Sequence, residues 1–138
     1  MNTIQNEKGT VTTIRAERSG AWAEIKLECF WSGDGKTFTV TTNSYRALNN
    51  GRSKGNIKLG LVSKDNTGWK ELTGSGVQDG KWHDFIQSLS VAGDAKSADI
   101  HFNWIYDQKF PDGDISMTGM NTVSFSAAMS MPPGDVSE

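Results

Sequence analysis

The chain has one cysteine, Cys29, only three prolines and no apolar run long enough to cross a membrane. A single thiol excludes an internal disulfide framework and offers no metal-ligand spacing, so an apolar core must hold the fold. Positive charge is in short supply too: 14 lysines and arginines face 16 acidic residues, for a net charge of −2. With no net positive field to attract phosphate backbones, nucleic acid is not an expected partner. The opening Met1-Asn2-Thr3-Ile4-Gln5-Asn6-Glu7 lacks the basic segment and apolar stretch of a secretory signal. The expectation is therefore a soluble protein without a transmembrane segment, cytoplasmic or released by a non-classical route. Enzyme fingerprints are missing as well, since neither G-x-S-x-G, nor a P-loop, nor a dinucleotide motif occurs. A non-catalytic protein is expected.

What the chain does have is alternation. At 138 residues with 36% apolar side chains it fits one domain with a substantial core, expected over residues 1–131. The tail 132–138, Pro-Pro-Gly-Asp-Val-Ser-Glu, reads as a flexible terminus. Between Ala21 and Trp31 the odd positions are Ala21, Ala23, Ile25, Leu27, Cys29 and Trp31, while Glu24, Lys26 and Glu28 fall on even ones. That period of two marks a half-buried strand. Ser32-Gly33-Asp34-Gly35 turns the chain, and 36–42 returns with Phe38 and Val40 on one face, completing a hairpin.

Further strands are expected at 10–16, at 57–61 around Ile57, Leu59 and Leu61, at 69–72, and at 121–127 with Val123, Phe125 and Ala127 inward. Asp79-Gly80 supplies the backbone angles of a tight turn, followed by strand patterns over 81–91 and 98–106. Pro111-Asp112-Gly113-Asp114 makes another turn, and 127–129 holds the one hint of helix. About seven to eight short strands with no helical period describe an all-β protein, an antiparallel β-sandwich or barrel.

The run 79–85, Asp-Gly-Lys-Trp-His-Asp-Phe, followed by Leu-Ser-Val-Ala-Gly-Asp-Ala-Lys-Ser-Ala-Asp-Ile-His-Phe at 89–102, resembles the late strands of carbohydrate-binding-module jelly rolls of the galactose-binding-like type. Lys-Leu-Gly-Leu-Val-Ser-Lys-Asp at 58–65, with Gly68-Trp69, is similar to their earlier strand and turn, so the resemblance spans 57–125. A shorter stretch, Lys81-Trp82-His83-Asp84-Phe85-Ile86 with Leu89, resembles the Trp-x-Asp-Ile-Val segment of fungal fruit-body lectins, relatives of the pore-forming actinoporins. His83 stands where those lectins carry cysteine, and the N-terminal half does not match. The resemblances imply a jelly-roll-like sandwich that binds glycans or a membrane surface.

Sugar recognition pairs flat aromatic rings with hydrogen-bonding groups, and five tryptophans supply the rings. Trp22 falls on the polar face of its strand, whereas Trp31 and Trp104 continue apolar rows and read as core. Trp69, beside Gly68, and Trp82, beside Gly80, stand at strand ends, where function concentrates. The expected ligand-binding set is Trp69, Trp82 and Trp22 as platforms, with Asp84, Asn66 and Arg52 bonding hydroxyls.

Asp107, Asp112 and Asp114 could hold Ca²⁺, but without the D-x-D-x-D-G series their plainer role is turn formation. His83 and His101 with Asp84 or Asp99 match no metal signature and read as strand histidines. Glu24 and Glu28 flank Lys26 as a solvated charge ladder rather than a hydrolytic pair. Cys29 reads as a buried small hydrophobe.

The first expectation is a lectin-like module. An alternative is a structural or assembly subunit, a homo-oligomer docking through edge strands or the methionines Met117, Met120, Met129 and Met131. A third is a membrane-binding cytolysin, which would need an amphipathic N-terminal helix that residues 2–15 do not encode.

Overall fold

The structure is a computed structural model that describes residues 9–51, 54–106 and 115–125. Arg52, the aspartates Asp107, Asp112 and Asp114 with their turn, the helical hint at 127–129 and the tail 132–138 lie outside the described residues. Among the described residues nine strands form in chain order: β1 (Thr10–Arg18), β2 (Ala21–Trp31), β3 (Thr37–Ala47), β4 (Gly55–Val62), β5 (Lys70–Gly76), β6 (His83–Asp84), β7 (Ser88–Ala92), β8 (Ser97–Tyr106) and β9 (Ile115–Ser124). They make two antiparallel sheets. The first runs β1-β2-β3, with β6 and β7 sharing the far edge of β3, and the second runs β5-β4-β8-β9. This is the all-β sandwich expected from the alternation, with nine strands in place of seven or eight. The order contains a three-strand meander, β1-β2-β3, and does not by itself establish the jelly-roll winding that the resemblance implies.

Each sheet buries one face because its strands alternate. In β2 every odd residue from Ala21 to Trp31 is buried, and in β8 Ile100, Phe102, Trp104 and Tyr106 are fully buried. Ile57, Leu59 and Leu61 of β4 complete that inner row. Each such side chain contributes about 1.5–3 kcal/mol of transfer free energy, which makes this facing pair of rows the main source of stability. Two of the aromatic polar atoms caught inside are paired: Trp104 Nε1 donates to Gln78 Oε1 (3.2 Å), and the Tyr106 hydroxyl shares its proton between the carbonyl oxygens of Leu48 (2.8 Å) and Trp22 (3.0 Å), whereas the buried Trp31 Nε1 has no hydrogen-bond partner among the described residues.

Along one side of the sandwich β1 lies against β9. Asn121 Nδ2 donates to Thr12 Oγ1 at 2.7 Å, and Gly119 packs so close that a Cβ there would overlap the Arg15 carbonyl oxygen.

Several boundaries differ from expectation. The strand expected at 36–42 continues to Ala47, and the one expected at 69–72 starts at Lys70 and runs to Gly76, leaving Trp69 just outside it. The pattern over 81–91 is not one strand. Asn43 falls at an irregularity in the β2–β3 register, and the edge strand pairing with β3 breaks at the same level into β6 and β7. The gap is filled by Thr42, whose N–H donates to Gln87 O (2.8 Å) and whose Oγ1 accepts the Gln87 N–H (2.7 Å). Gly80 does take a positive φ of 80°. Its turn carries the chain from the second sheet to the first, and 81–91 and 98–106 end up in different sheets. In β1 Val11 is 61% exposed, while Ile14 and Ala16 supply the buried positions.

Candidate functional site

The outer face of the second sheet carries Trp69. Its loop is folded back on β4 by local bonds: Thr67 N–H donates to Leu61 O (2.9 Å), Leu61 N–H donates to Thr67 Oγ1 (3.0 Å), and Asn66 Oδ1 accepts the Gly68 N–H (2.8 Å). Gly60 makes room beneath it, because a Cβ at that position would stand 3.1 Å from Gly68 O and 3.8 Å from the Trp69 ring. The indole reaches the β8 side chain His101, with ring centroids 6.3 Å apart at a steep 77°. Trp69 remains 49% exposed. Gly60, Val62, Asn66, Gly68, Trp69 and His101 together line a shallow concavity of about 280 Å³.

The outer face of the first sheet is built differently. Trp22 on β2 and Trp82 before β6 are bridged by the Arg46 guanidinium, 5.4 Å from the Trp22 centroid and 4.7 Å from that of Trp82. Arg15 adds a second cation over Trp22 at 4.9 Å, and Lys26 a second over Trp82 at 4.9 Å. Glu24 anchors the stack, accepting from Arg46 Nε at 2.7 Å and from Arg15 at 3.1 Å, and Arg15 also pairs with Glu17. Burial pushes the Glu24 carboxyl up, but the hydrogen bonds from Arg46 and then Arg15 outweigh it and hold the group below its ordinary value. Nearby, His83 Nε2 meets Asp79 Oδ1 at 2.9 Å, and that hydrogen bond, with one from the Lys81 N–H, holds the Asp79 carboxyl low.

The expected binding set is thus divided. Asn66 and Trp69 share one concavity, whereas Trp22 and Trp82 meet across Arg46 on the opposite face, with the exposed Asp84 two residues further on. One sugar cannot touch Trp69 and Trp82 together. Trp22, expected to be exposed, is partly covered by its two arginines. His83 and His101 sit in separate sheets, and the described residues hold no group of three His, Cys, Asp or Glu that could bind a metal. Cys29 is fully buried, and burial together with the Glu28 charge pushes its thiol up to about 12, which removes the thiolate needed for nucleophilic chemistry.

From the sequence His101 reads as a strand histidine and Lys26 as part of a solvated charge ladder, with no sign of the rings they meet. Parity could place His101 on the outer face, but only strand pairing puts it beside Gly60 and hence under Trp69. Among the described residues no helix is long and apolar enough to cross a membrane. No protein-family model matches the chain, and no curated protein matches it either.

Proposed function

We propose that this protein binds carbohydrate without catalysis, on the Trp69 shelf of the second sheet. The observation that carries the reading is a half-exposed indole sharing a concavity with an amide and an imidazole. An indole face takes up the C–H face of a pyranose, and polar neighbours orient its hydroxyls. Asn66 spends its oxygen on Gly68, which leaves its NH₂ group to donate, and the His101 ring nitrogens add a second polar partner. No cation stacks on Trp69 among the described residues, in contrast to Trp22 and Trp82, whose rings are engaged by Arg15, Arg46 and Lys26.

The shelf is small. Ligand pockets commonly measure about 300–1,000 Å³, so this one holds a single ring. At about −0.3 kcal/mol per heavy atom a hexose gains roughly −4 kcal/mol, a millimolar affinity.

A glycan array followed by tryptophan-fluorescence titration tests the reading. Trp69→Ala is expected to abolish the response and Trp82→Ala to preserve it. An array with no bound sugar, or full affinity in Trp69→Ala, overturns it.

A further inference from the structure

We propose that the ligand is a neutral, linear oligosaccharide of at least two rings, lying across the strands from Trp69 to Met120. The proposal rests on the carbohydrate reading above and extends it along the sheet. In the strand register Gly60 stands opposite His101, and His101 opposite Met120, so the three form one row perpendicular to the strands. Trp69 covers the Gly60 end, and Met120 at the other end is 49% exposed. Two inter-strand steps of about 4.8 Å make this row roughly 10 Å long, room for two linked pyranose rings and twice what the concavity alone accepts.

The rows on either side differ from the central one. Lys58, Asn103 and Thr118 are in register on one flank, and Val62, Asp99 and Thr122 on the other. Each lies two residues along the strands, about 6.7 Å from the central row. An apolar and aromatic stripe with polar groups on both flanks matches a sugar chain, whose C–H faces are central and whose hydroxyls project to both edges. Asn103 is buried and spends its NH₂ on Ser116 Oγ and Met117 O, so the flanks act through Lys58, Thr118, Asp99 and Thr122.

The charge on the flanks is one lysine and one aspartate, and this balance favours a neutral chain over a uronate or sulfated one. Met120 is suited to the distal subsite. Its thioether is apolar and polarisable, and its sulfur lies 3.6 Å from Thr122 Oγ1, itself bonded to Asp99 at 2.7 Å.

The test is a chain-length series, glucose and N-acetylglucosamine against their β-1,4-linked dimers, trimers and tetramers, titrated by calorimetry on the full chain and on Met120→Ser. Met120 is exposed, so the variant is expected to keep the parent's circular dichroism and melting temperature. Affinity is expected to rise at least about tenfold from one ring to two, then level off. Met120→Ser should lose that gain while keeping the single-ring affinity. Equal affinity for one and two rings, or an undiminished gain in Met120→Ser, overturns the extended site and leaves the Trp69 shelf standing. Failure of every sugar in both series and on the array removes the shelf and the extended site together.

Discussion

At Glu24 two arginines from the flanking strands share one carboxylate, and the outcome sets a pH dependence. Arg15 on β1 and Arg46 on β3 both reach it, because their strands flank β2 and the register places them opposite. The folded carboxyl titrates below its ordinary value of 4.5. The unfolded state therefore binds the proton more readily, and stability rises with pH through this range. The contribution of Glu24 is complete above its unfolded value and disappears as pH falls through the lower folded one. Glu24→Gln should be less stable than the parent at pH 7, with the gap closing as pH drops into the low carboxylate range, followed by urea unfolding at a series of pH values. Parallel curves for the two proteins would show that the bridge carries no linked proton. Parity in the sequence assigned Glu24 and Lys26 to the solvent face of β2 correctly. It could not reveal that Arg46 lies between two indoles, since Trp82 is 36 positions further along the chain.

The strands themselves were legible wherever one face is buried and the other wet. β2 and β8 repeat their apolar residues every second position, and their buried rows fall where that period puts them. The signal fails where tertiary bonds interrupt a pattern, as at 81–91, where the Thr42 side chain bonds to Gln87 in place of a continuous ladder. Glycine within a strand is equally ambiguous from sequence. At Gly119 the reason is the close approach of β1, so Gly119→Ala must push Arg15 away and open the seam between β1 and β9. A loss of about 1–3 kcal/mol is expected in chemical denaturation. Gly33→Ala, with nothing within 4 Å and no positive φ, serves as the control and should change stability by no more than about 0.5 kcal/mol. Equal effects at the two positions would contradict a tight seam.

For the molecule as a whole, the core is the shared product of both sheets, and its centre is the β8 row. Phe102 is fully buried, so Phe102→Ala removes a ring from both layers at once and should cost about 3–5 kcal/mol, measured by urea unfolding. Set against a typical domain stability of about 5–15 kcal/mol, that loss leaves the fold marginal. A cost under about 1 kcal/mol would mean that the two layers do not depend on this row. The same two-layer arrangement separates the outer faces, which is why Trp69 and Trp82 serve different surfaces.

Alternation determined that this chain is all-β and that Trp31 and Trp104 are interior, because burial in a half-buried strand follows a period of two, while the glycine turns beside Trp69 and Trp82 marked those two rings as strand-end residues. Tertiary structure decided which exposed residues are neighbours. Asn66 with Trp69, Trp22 with Trp82, and the Gly60, His101, Met120 row depend on strand order, register and sheet assignment. Those are set by long-range pairing between segments tens of residues apart, and no local pattern of side chains records them.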